Sequence, residues 1–464
     1  MNFADLHFWT ILLAGLAFVL ALRLFVAAGI RQIYDKLALI SLGLLLLFVT
    51  SWLSFVIFLV VAVGTYWGLY LIIRFEGASL KYLAILIPLQ IAPLCFYKYG
   101  DFFINQVAGL GWTGIFPALI PVGISFYTFQ KVAFVVDTLV LREPLPRFLD
   151  YMNFAGFFPQ IVAGPIERRR NLQPQMESFS FRWSASGIDE GARWMVVGFF
   201  FKCCMADNLA IVFDPSSETN AYLIWLANFV FGLRIYYDFA GYSLIALGLA
   251  QCLGVRLTLN FASPYISTSI VEYWRRWHIT LSQWFRDYIY FPLGGGRVAW
   301  WAANVLLVFT VSGIWHGAGW NFVLWGAIHG SCLVAYRAFK PLEKLPKPLG
   351  WLLTLAISFG AWLCFYEVRM PALLAKGSAL FTPAAYGPVA FNEAVLQLAT
   401  SPNIVLLAGM FLTAAVVLWA EWRSVVRYDE PFALLRRPAV AAVLAAATFI
   451  LAPGQNNGFI YFAF

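Results

Sequence analysis

Three of the four histidines in this 464-residue chain fall within about fifty positions of one another, in a strongly apolar sequence. They are His278 in VEYWRRWHITLSQWFRDYIYFPLGGG, His316 in SGIWHGAGWN and His329 in LWGAIHG. An ionisable side chain at membrane depth costs about 3 kcal/mol or more, so such residues are read as functional by default. Imidazole is also the side chain best able to exchange a proton near neutral pH. No serine–histidine–aspartate order, metal-ligand spacing or Walker-type loop accompanies the cluster. Four histidines spread among aromatics make a poor zinc site, so neither a metal nor a bound cofactor is expected. What remains is general-base chemistry. It suits acyl transfer, because a hydroxyl must lose its proton while it attacks a thioester.

The surroundings of each histidine set expectations. Trp274, Trp277, Leu281, Trp284, Tyr288 and Phe291 recur at spacings of 3, 4, 3, 4 and 3, which predicts one continuous helix over 271–291. Arg275, His278, Ser282 and Arg286 fall on a neighbouring face. Such a helix suits the membrane interface, with His278 either facing water or lining a polar tunnel with the arginines. His316 sits in Gly313-Ile-Trp-His-Gly-Ala-Gly-Trp, where small residues allow close backbone approach. Between Trp315 and a glycine it can be held in a narrow site, or it can be a packing histidine bonded to a carbonyl. His329 lies thirteen residues further on and points to a different helical face, so a supporting role is expected for it, as for Trp315. His7 lies near a chain end and is expected to be inert.

The composition places these residues in a membrane. The chain is 62% hydrophobic and only 12% charged, against roughly 25% charged in a soluble domain. Apolar runs near 8–28, 37–51, 53–73, 82–97, 113–139, 151–165, 190–213, 221–253, 299–315, 319–338, 349–368, 403–422 and 438–452 predict an all-α integral membrane protein. About eleven to thirteen membrane helices are expected, some short or re-entrant. Irregular backbone at depth needs protein or water to satisfy it, and Pro121-Val-Gly, Gly164-Pro165 and Gly294-Gly-Gly are candidates for it. The first run is too long for a signal-peptide core and is expected to remain as a span. The six cysteines lie in apolar stretches without metal or disulfide spacing and read as buried small hydrophobes, with acylation of one as the alternative. No repeat or separate soluble domain is visible, so residues 1–464 read as a single polytopic domain.

The excess of 31 Lys+Arg over 23 Asp+Glu implies cytoplasmic loops facing anionic lipid rather than nucleic acid. Arg31, Lys36, Arg74 and Lys81 mark inside loops near the start; Arg337, Lys340, Lys344, Lys347, Arg423, Arg427, Arg436 and Arg437 mark others near the end. Both termini are therefore expected outside. The polar insert from Glu167 to about Gly187 carries Arg168, Arg169 and Arg170 and reads as a cytoplasmic loop or interfacial helix. Those three arginines are candidates for drawing an anionic donor to the cytoplasmic mouth, or else for anchoring the topology.

The run Tyr236–Gly295, followed by SGIWHGAGWNFVLWGAIHG, resembles the core of the membrane-bound O-acyltransferases, in particular the bacterial branch typified by the alginate O-acetyltransferase membrane subunit. PVGISFYTFQ (Pro121–Gln130) and FFPQIVAGPIERRR (Phe157–Arg170) match that branch too. The resemblance covers most of 75–340, taken as the catalytic core, and the terminal FIYFAF; elsewhere only hydropathy matches. It implies helices around a central tunnel in a bacterial inner membrane, with a thioester donor (acetyl-CoA or an acyl-carrier protein) entering from the cytoplasm and an acceptor hydroxyl from outside. It maps the two signature histidines onto His278 and His316, with His316 the catalytic base. Arg275 and Arg276 would join His278 in positioning the donor or polarising its carbonyl.

FIYFAF resembles an aromatic tail of envelope-acylation systems, in which Gln is more usual where Ala463 stands. Residues 438–464 would then be a last span plus an outward tail. Tyr461 becomes a candidate acyl carrier: a phenol of pKa about 10 that gives its proton to a histidine can take the acyl group as an aryl ester and pass it on. The alternative is an aromatic anchor at the interface. The expected function is transfer of an acyl group, acetyl by preference, for O-acylation of an extracellular polysaccharide, with a periplasmic hydrolase-like acyltransferase as partner. Two other readings are a transporter or export channel with a histidine proton relay, which should show two related halves, and an acyltransferase acting on lipid or protein hydroxyls.

Overall fold

The computed structural model describes residues 3–77, 79–112, 114–117, 119–212, 219–453 and 458–460. Helices make up its regular structure, and no strand occurs among the described residues. In hydrocarbon every backbone donor and acceptor must be satisfied within the chain, and a helix does so within one segment. Among the described residues seven helices are long and apolar enough to cross a membrane: Leu6–Arg23, Ala28–Thr50, Trp52–Glu76, Leu80–Tyr99, Ala185–Val212, Lys347–Tyr366 and Ile404–Tyr428. Trp301–His316, Met370–Phe381 and Pro438–Leu451 are shorter apolar helices. The expectation of a polytopic helical membrane protein therefore holds, with several predicted runs forming helices below full span length.

The chain packs as two compact units, Met1–Met195 with Ser243–Leu259, and Val196–Tyr242 with Asn260–Phe464. In the first unit, the Phe148–Ala155 helix gives way to irregular chain up to Arg168, and every residue from 151 to 169 is buried. The turns bond to themselves: the Gly164 amide donates to the Gln160 carbonyl at 2.9 Å, and the Gln130 side-chain amide donates to the Phe154 carbonyl at 3.2 Å. Gly123, at φ +78°, starts the Ile124–Leu139 helix against this segment, and a Cβ there would lie 2.8 Å from the Ile161 carbonyl. Two of the predicted Gly/Pro interruptions thus mark irregular backbone that protein, not lipid, surrounds.

The polar insert is pinned rather than open. Lys36 Nζ bridges Asp150 and the Glu177 carbonyl, each at 2.6 Å, while Asp35 accepts from Arg23, Ser180 and the Phe181 amide. Arg169 pairs with Glu143 at 3.1 Å, donates to Thr138 at 2.8 Å and lies 4.6 Å over the Phe134 ring. Arg168 and Arg169 are buried, and Arg170 alone of the three is exposed. The run expected to present three cations together is therefore divided, because Glu143 and an aromatic face hold Arg169 inside.

In the second unit, the Trp301–His316 and Trp320–Ala338 helices cross at glycines. A Cβ on Gly313 would sit 2.1 Å from the Phe322 carbonyl, and one on Gly326 would sit 2.2 Å from the Phe309 carbonyl. That closeness carries the end of the first helix, and His316 with it, into the core. The continuous helix predicted over 271–291 does not form. Helix Ile270–Arg276 ends at Trp277, a new helix runs from Ile279 to Phe285, and a π-helical turn follows over Arg286–Tyr290. The break falls on His278, at φ +42° and ψ +53°. A non-glycine residue held in that region costs about 1–3 kcal/mol, which surrounding contacts must offset.

Glu167 provides a test of the first unit's packing. It is buried and accepts from the Thr258 amide and, at 3.1 Å, from the Thr258 hydroxyl. Burial pushes its carboxyl up from 4.5 to about 7, against the opposing pull of the Thr258 bonds and the Arg168 charge. The folded protein then holds this proton more tightly than the unfolded chain, so its contribution to stability falls as pH rises from 4.5 to about 7. Melting temperatures in detergent across that window should fall less steeply in Glu167→Gln than in the wild-type chain. Equal slopes would contradict the assignment.

Candidate active site

His278 and His316 meet inside the second unit with ring centroids 6.4 Å apart, and each is at most 2% exposed. Their walls are aromatic. Phe239 meets the His278 ring edge-on at 4.7 Å, and Trp315 lies 5.9 Å from His278 and 5.0 Å from His316. Trp325 and Phe365 close on His316 at 5.0 and 5.4 Å. Such rings bury large apolar area and keep water away from whatever reacts between them.

Asn260 sets the state of His278. Its side-chain oxygen accepts the Thr280 hydroxyl at 2.9 Å and the Thr280 amide at 3.3 Å, and the His278 Nδ1 lies 3.1 Å away. Two donors identify that atom as the oxygen, so Nδ1 carries the imidazole proton and donates to it. Nε2 is then the basic nitrogen. The Asn260 carbonyl also accepts the Ile279 amide at 2.9 Å, which fixes the strained backbone at the break. One residue thus holds both the turn and the tautomer.

His316 closes its helix, and Gly317 follows in extended backbone at φ −162°. A Cβ on Gly317 would lie 2.0 Å from the Phe322 ring, so only glycine lets that ring pack beneath the histidine. Trp315, predicted to support His316, touches both histidines. His329 does not enter the pair. It is enclosed by Tyr273, Trp274 and Trp325, and the Trp325 ring, 4.8 Å from His329, is the one that also contacts His316. Arg275 is exposed. Arg276 is bound by Glu272 at 3.0 Å and donates to the Ala262 carbonyl at 2.9 Å. The structure therefore brings His278, His316 and Trp315 together and leaves both arginines out of the chamber, a consequence of the broken helix. Arg168, Arg169 and Arg170 belong to the first unit, and Tyr461 lies outside the described residues.

The site resembles no metal centre; among the described residues no group of three or more His, Cys, Asp or Glu could hold a metal ion. It presents two imidazoles within an aromatic wall, suited to moving one proton. A family profile for MBOAT, the membrane-bound O-acyltransferase family, matches residues 4–368, which includes every residue of this chamber named so far. The chain belongs to the membrane-bound O-acyltransferase family. The match reaches further toward the N-terminus than the motifs that first suggested it. A probable alginate O-acetylase of Pseudomonas putida is 31% identical over 80% of this chain and 81% of its own length. One from Azotobacter vinelandii is 33% identical over 74% and 70%. A peptidoglycan O-acetyltransferase of Helicobacter pylori is 34% identical over 61% of this chain and 62% of its own length.

For an O-acyltransferase, Asn260 and the buried ion cluster around Lys202 are the polar elements that motif reading passed over. Asn260 is eighteen positions from His278 and carries no local signal. Lys202, Asp207 and Asp238 could have been flagged, since ionisable residues inside apolar runs are rarely idle. In this membrane-bound O-acyltransferase, Asn260→Ala should leave His278 without its tautomer lock and lower acyl transfer by about 10²-fold, the scale of a misplaced catalytic group. Purified variant and wild type compared for thioester consumption would show it. An unchanged rate would mean that the chamber does not need the lock.

Proposed function

We propose that this membrane-bound O-acyltransferase moves an acyl group, acetyl by preference, from a cytoplasmic thioester to the outer face of a bacterial inner membrane, where it esterifies an extracellular polysaccharide. The observation that carries the proposal is the pair of buried imidazoles in one aromatic chamber. The names of the relatives, alginate O-acetylases and a peptidoglycan O-acetyltransferase, support a polysaccharide acceptor and the acetyl group. The thioester donor, acetyl-CoA or an acyl-carrier protein, follows from the chemistry: the enzyme needs an activated acyl group and offers a base.

In the proposed step a hydroxyl oxygen attacks the thioester carbonyl carbon. The C–O bond forms, the C–S bond breaks, and the hydroxyl proton passes to His316 and then to the departing thiolate. His278, whose Nδ1–H is engaged by Asn260, presents a basic Nε2. Its part is to orient the incoming hydroxyl rather than to polarise the carbonyl. Trp315 and the surrounding rings exclude water, which would otherwise hydrolyse the donor.

Tyr461 is the proposed first acceptor. Its aryl ester would leave readily as a phenolate when a polymer hydroxyl, or a periplasmic hydrolase-like partner, takes the acyl group. The charge bias supports both chain ends lying on the outer face. Among Arg168, Arg169 and Arg170, Arg170 alone is exposed and can meet an acidic donor. Arg170→Gln should raise the apparent KM for the donor in a salt-sensitive way, while Arg169→Gln should lower stability instead.

The deciding experiment is mass analysis of extracellular polymer from cells with and without this protein. A missing ester in the deletion strain would identify acyl group and acceptor together. His316→Ala, at normal expression, should reduce that ester by about 10²–10⁴-fold, the usual contribution of a general base. Wild-type polymer from the deletion strain would sink the proposal, and near-normal acylation by His316→Ala would remove that residue from the mechanism.

A further inference from the structure

The second unit holds a buried ion cluster that the histidine chemistry does not use. Lys202 Nζ lies 2.8 Å from Asp207 Oδ1 and 2.7 Å from Asp238 Oδ1, and all three side chains are buried. Arg234, one helical turn before Asp238, interacts electrostatically with both aspartates. Two cations thus face two carboxylates. A buried ion pair contributes little net stability beside a hydrophobic replacement, so retaining one calls for another reason.

The local backbone is arranged to build it. Lys202 stands in a π-helical stretch, Phe200–Ala206, that interrupts the helix leading to Asp207. Such insertions re-aim side chains and favour functional sites. The Ala221–Cys252 helix, which carries Asp238, approaches this stretch at Gly241. A Cβ on Gly241 would lie 2.8 Å from both the Gly198 carbonyl and the Lys202 amide.

The second oxygen of Asp238 does something different. Oδ2 accepts the backbone amide of Ile460 at 2.6 Å, a bond across 222 residues to the C-terminal tail. Phe459 beside it is buried, its ring 5.5 Å from Phe239 and 4.8 Å from Tyr242. Phe239 is the ring that meets His278 edge-on. Ile460 and Phe459 are therefore held by a charge-assisted bond and an aromatic seat, a single ring away from the chamber.

We propose that Asp238, braced by Lys202, is a positioning residue: a latch that holds the C-terminal tail against the chamber wall through the Ile460 amide. Lys202 contacts Oδ1 and so aims Asp238, whose Oδ2, a carboxylate oxygen, is a strong acceptor for a neutral N–H. Asp207 takes the other contact from Lys202, at 2.8 Å. The bond is made to backbone, so it fixes where the tail runs whatever the side chain at position 460. The proposal deepens the reading of Tyr461 as first acceptor and rests on it only for its functional consequence; the latch itself is a statement about where Ile460 is held.

The test uses the full-length chain with Ile460→Cys, which keeps the backbone amide. Labelling by a hydrophilic maleimide is followed at the C-terminal peptide by mass spectrometry, so that the native cysteines do not interfere. In Ile460→Cys alone the thiol should react slowly. Adding Asp238→Ala should raise the rate about tenfold or more, the scale set by losing a bond to a charged acceptor. Adding Asp207→Asn should leave it slow, whereas a merely structural role for the cluster would loosen the tail in both. If Asp238→Ala does not give monodisperse protein, Asp238→Asn keeps the size and weakens the acceptor, and a faster rate is again expected. Equal labelling with and without the Asp238 change, or equal loosening by the Asp207 change, overturns the latch. Polymer acylation in Asp238→Ala is scored separately. Fast labelling with normal polymer ester keeps the latch and overturns Tyr461 as carrier; fast labelling with the ester lost supports both.

Discussion

The bond from the His278 ring to the Asn260 side chain is the contact on which the chamber depends. Burial among aromatics makes an unpartnered polar atom expensive, about 1–3 kcal/mol in mutational data. Asn260 answers that cost with one oxygen that takes three contacts, two from Thr280 and one from His278. The same residue's carbonyl takes the Ile279 amide and so stabilises a backbone turn that a histidine seldom adopts. Without the turn, His278 would continue a helix and share its face with Arg275; with it, the ring faces His316. Tautomer, orientation and local fold are thus settled together.

Around that contact, glycine does the remaining geometric work. Gly313 and Gly326 let two helices cross at backbone contact, and Gly317 leaves room for the Phe322 ring. Larger side chains at these places would move His316 by more than a proton transfer tolerates. The aromatic residues then fill the space without adding competing donors or acceptors. The walls of the chamber are preorganised, and the two imidazoles stand together inside them.

Much of this was legible in the sequence, for reasons that can be stated. Apolar runs predicted helices because lipid permits little else, and the helices Ala221–Cys252, Trp320–Ala338 and Pro438–Leu451 fall almost where the runs do. Pro121-Val-Gly and Gly164-Pro165 marked irregular backbone because both residue types break ladders. The histidines stood out because ionisable groups are scarce in such a chain. The break at His278 was hidden, since the 3-4 spacing of its aromatics continues unbroken from Trp274 to Phe291. Trp277, Leu281 and Trp284 pack in the core on both sides of the turn, so the periodicity reports burial rather than continuity. The division of Arg168, Arg169 and Arg170 depends on Glu143, a partner some 26 positions away in the chain, and the tail's attachment to Asp238 spans nearly half of it. Contacts of that range leave no trace in local pattern.

The central claim is that His278 and His316 act as one centre. Its most direct measurement is a double-mutant cycle on thioester consumption by purified protein, with His278→Ala, His316→Ala and the pair. Groups that act as a unit are strongly non-additive, so the double variant should be scarcely slower than the slower single one. Effects that simply multiply, or a single variant with the wild-type rate, would show that the two histidines do not share a reaction.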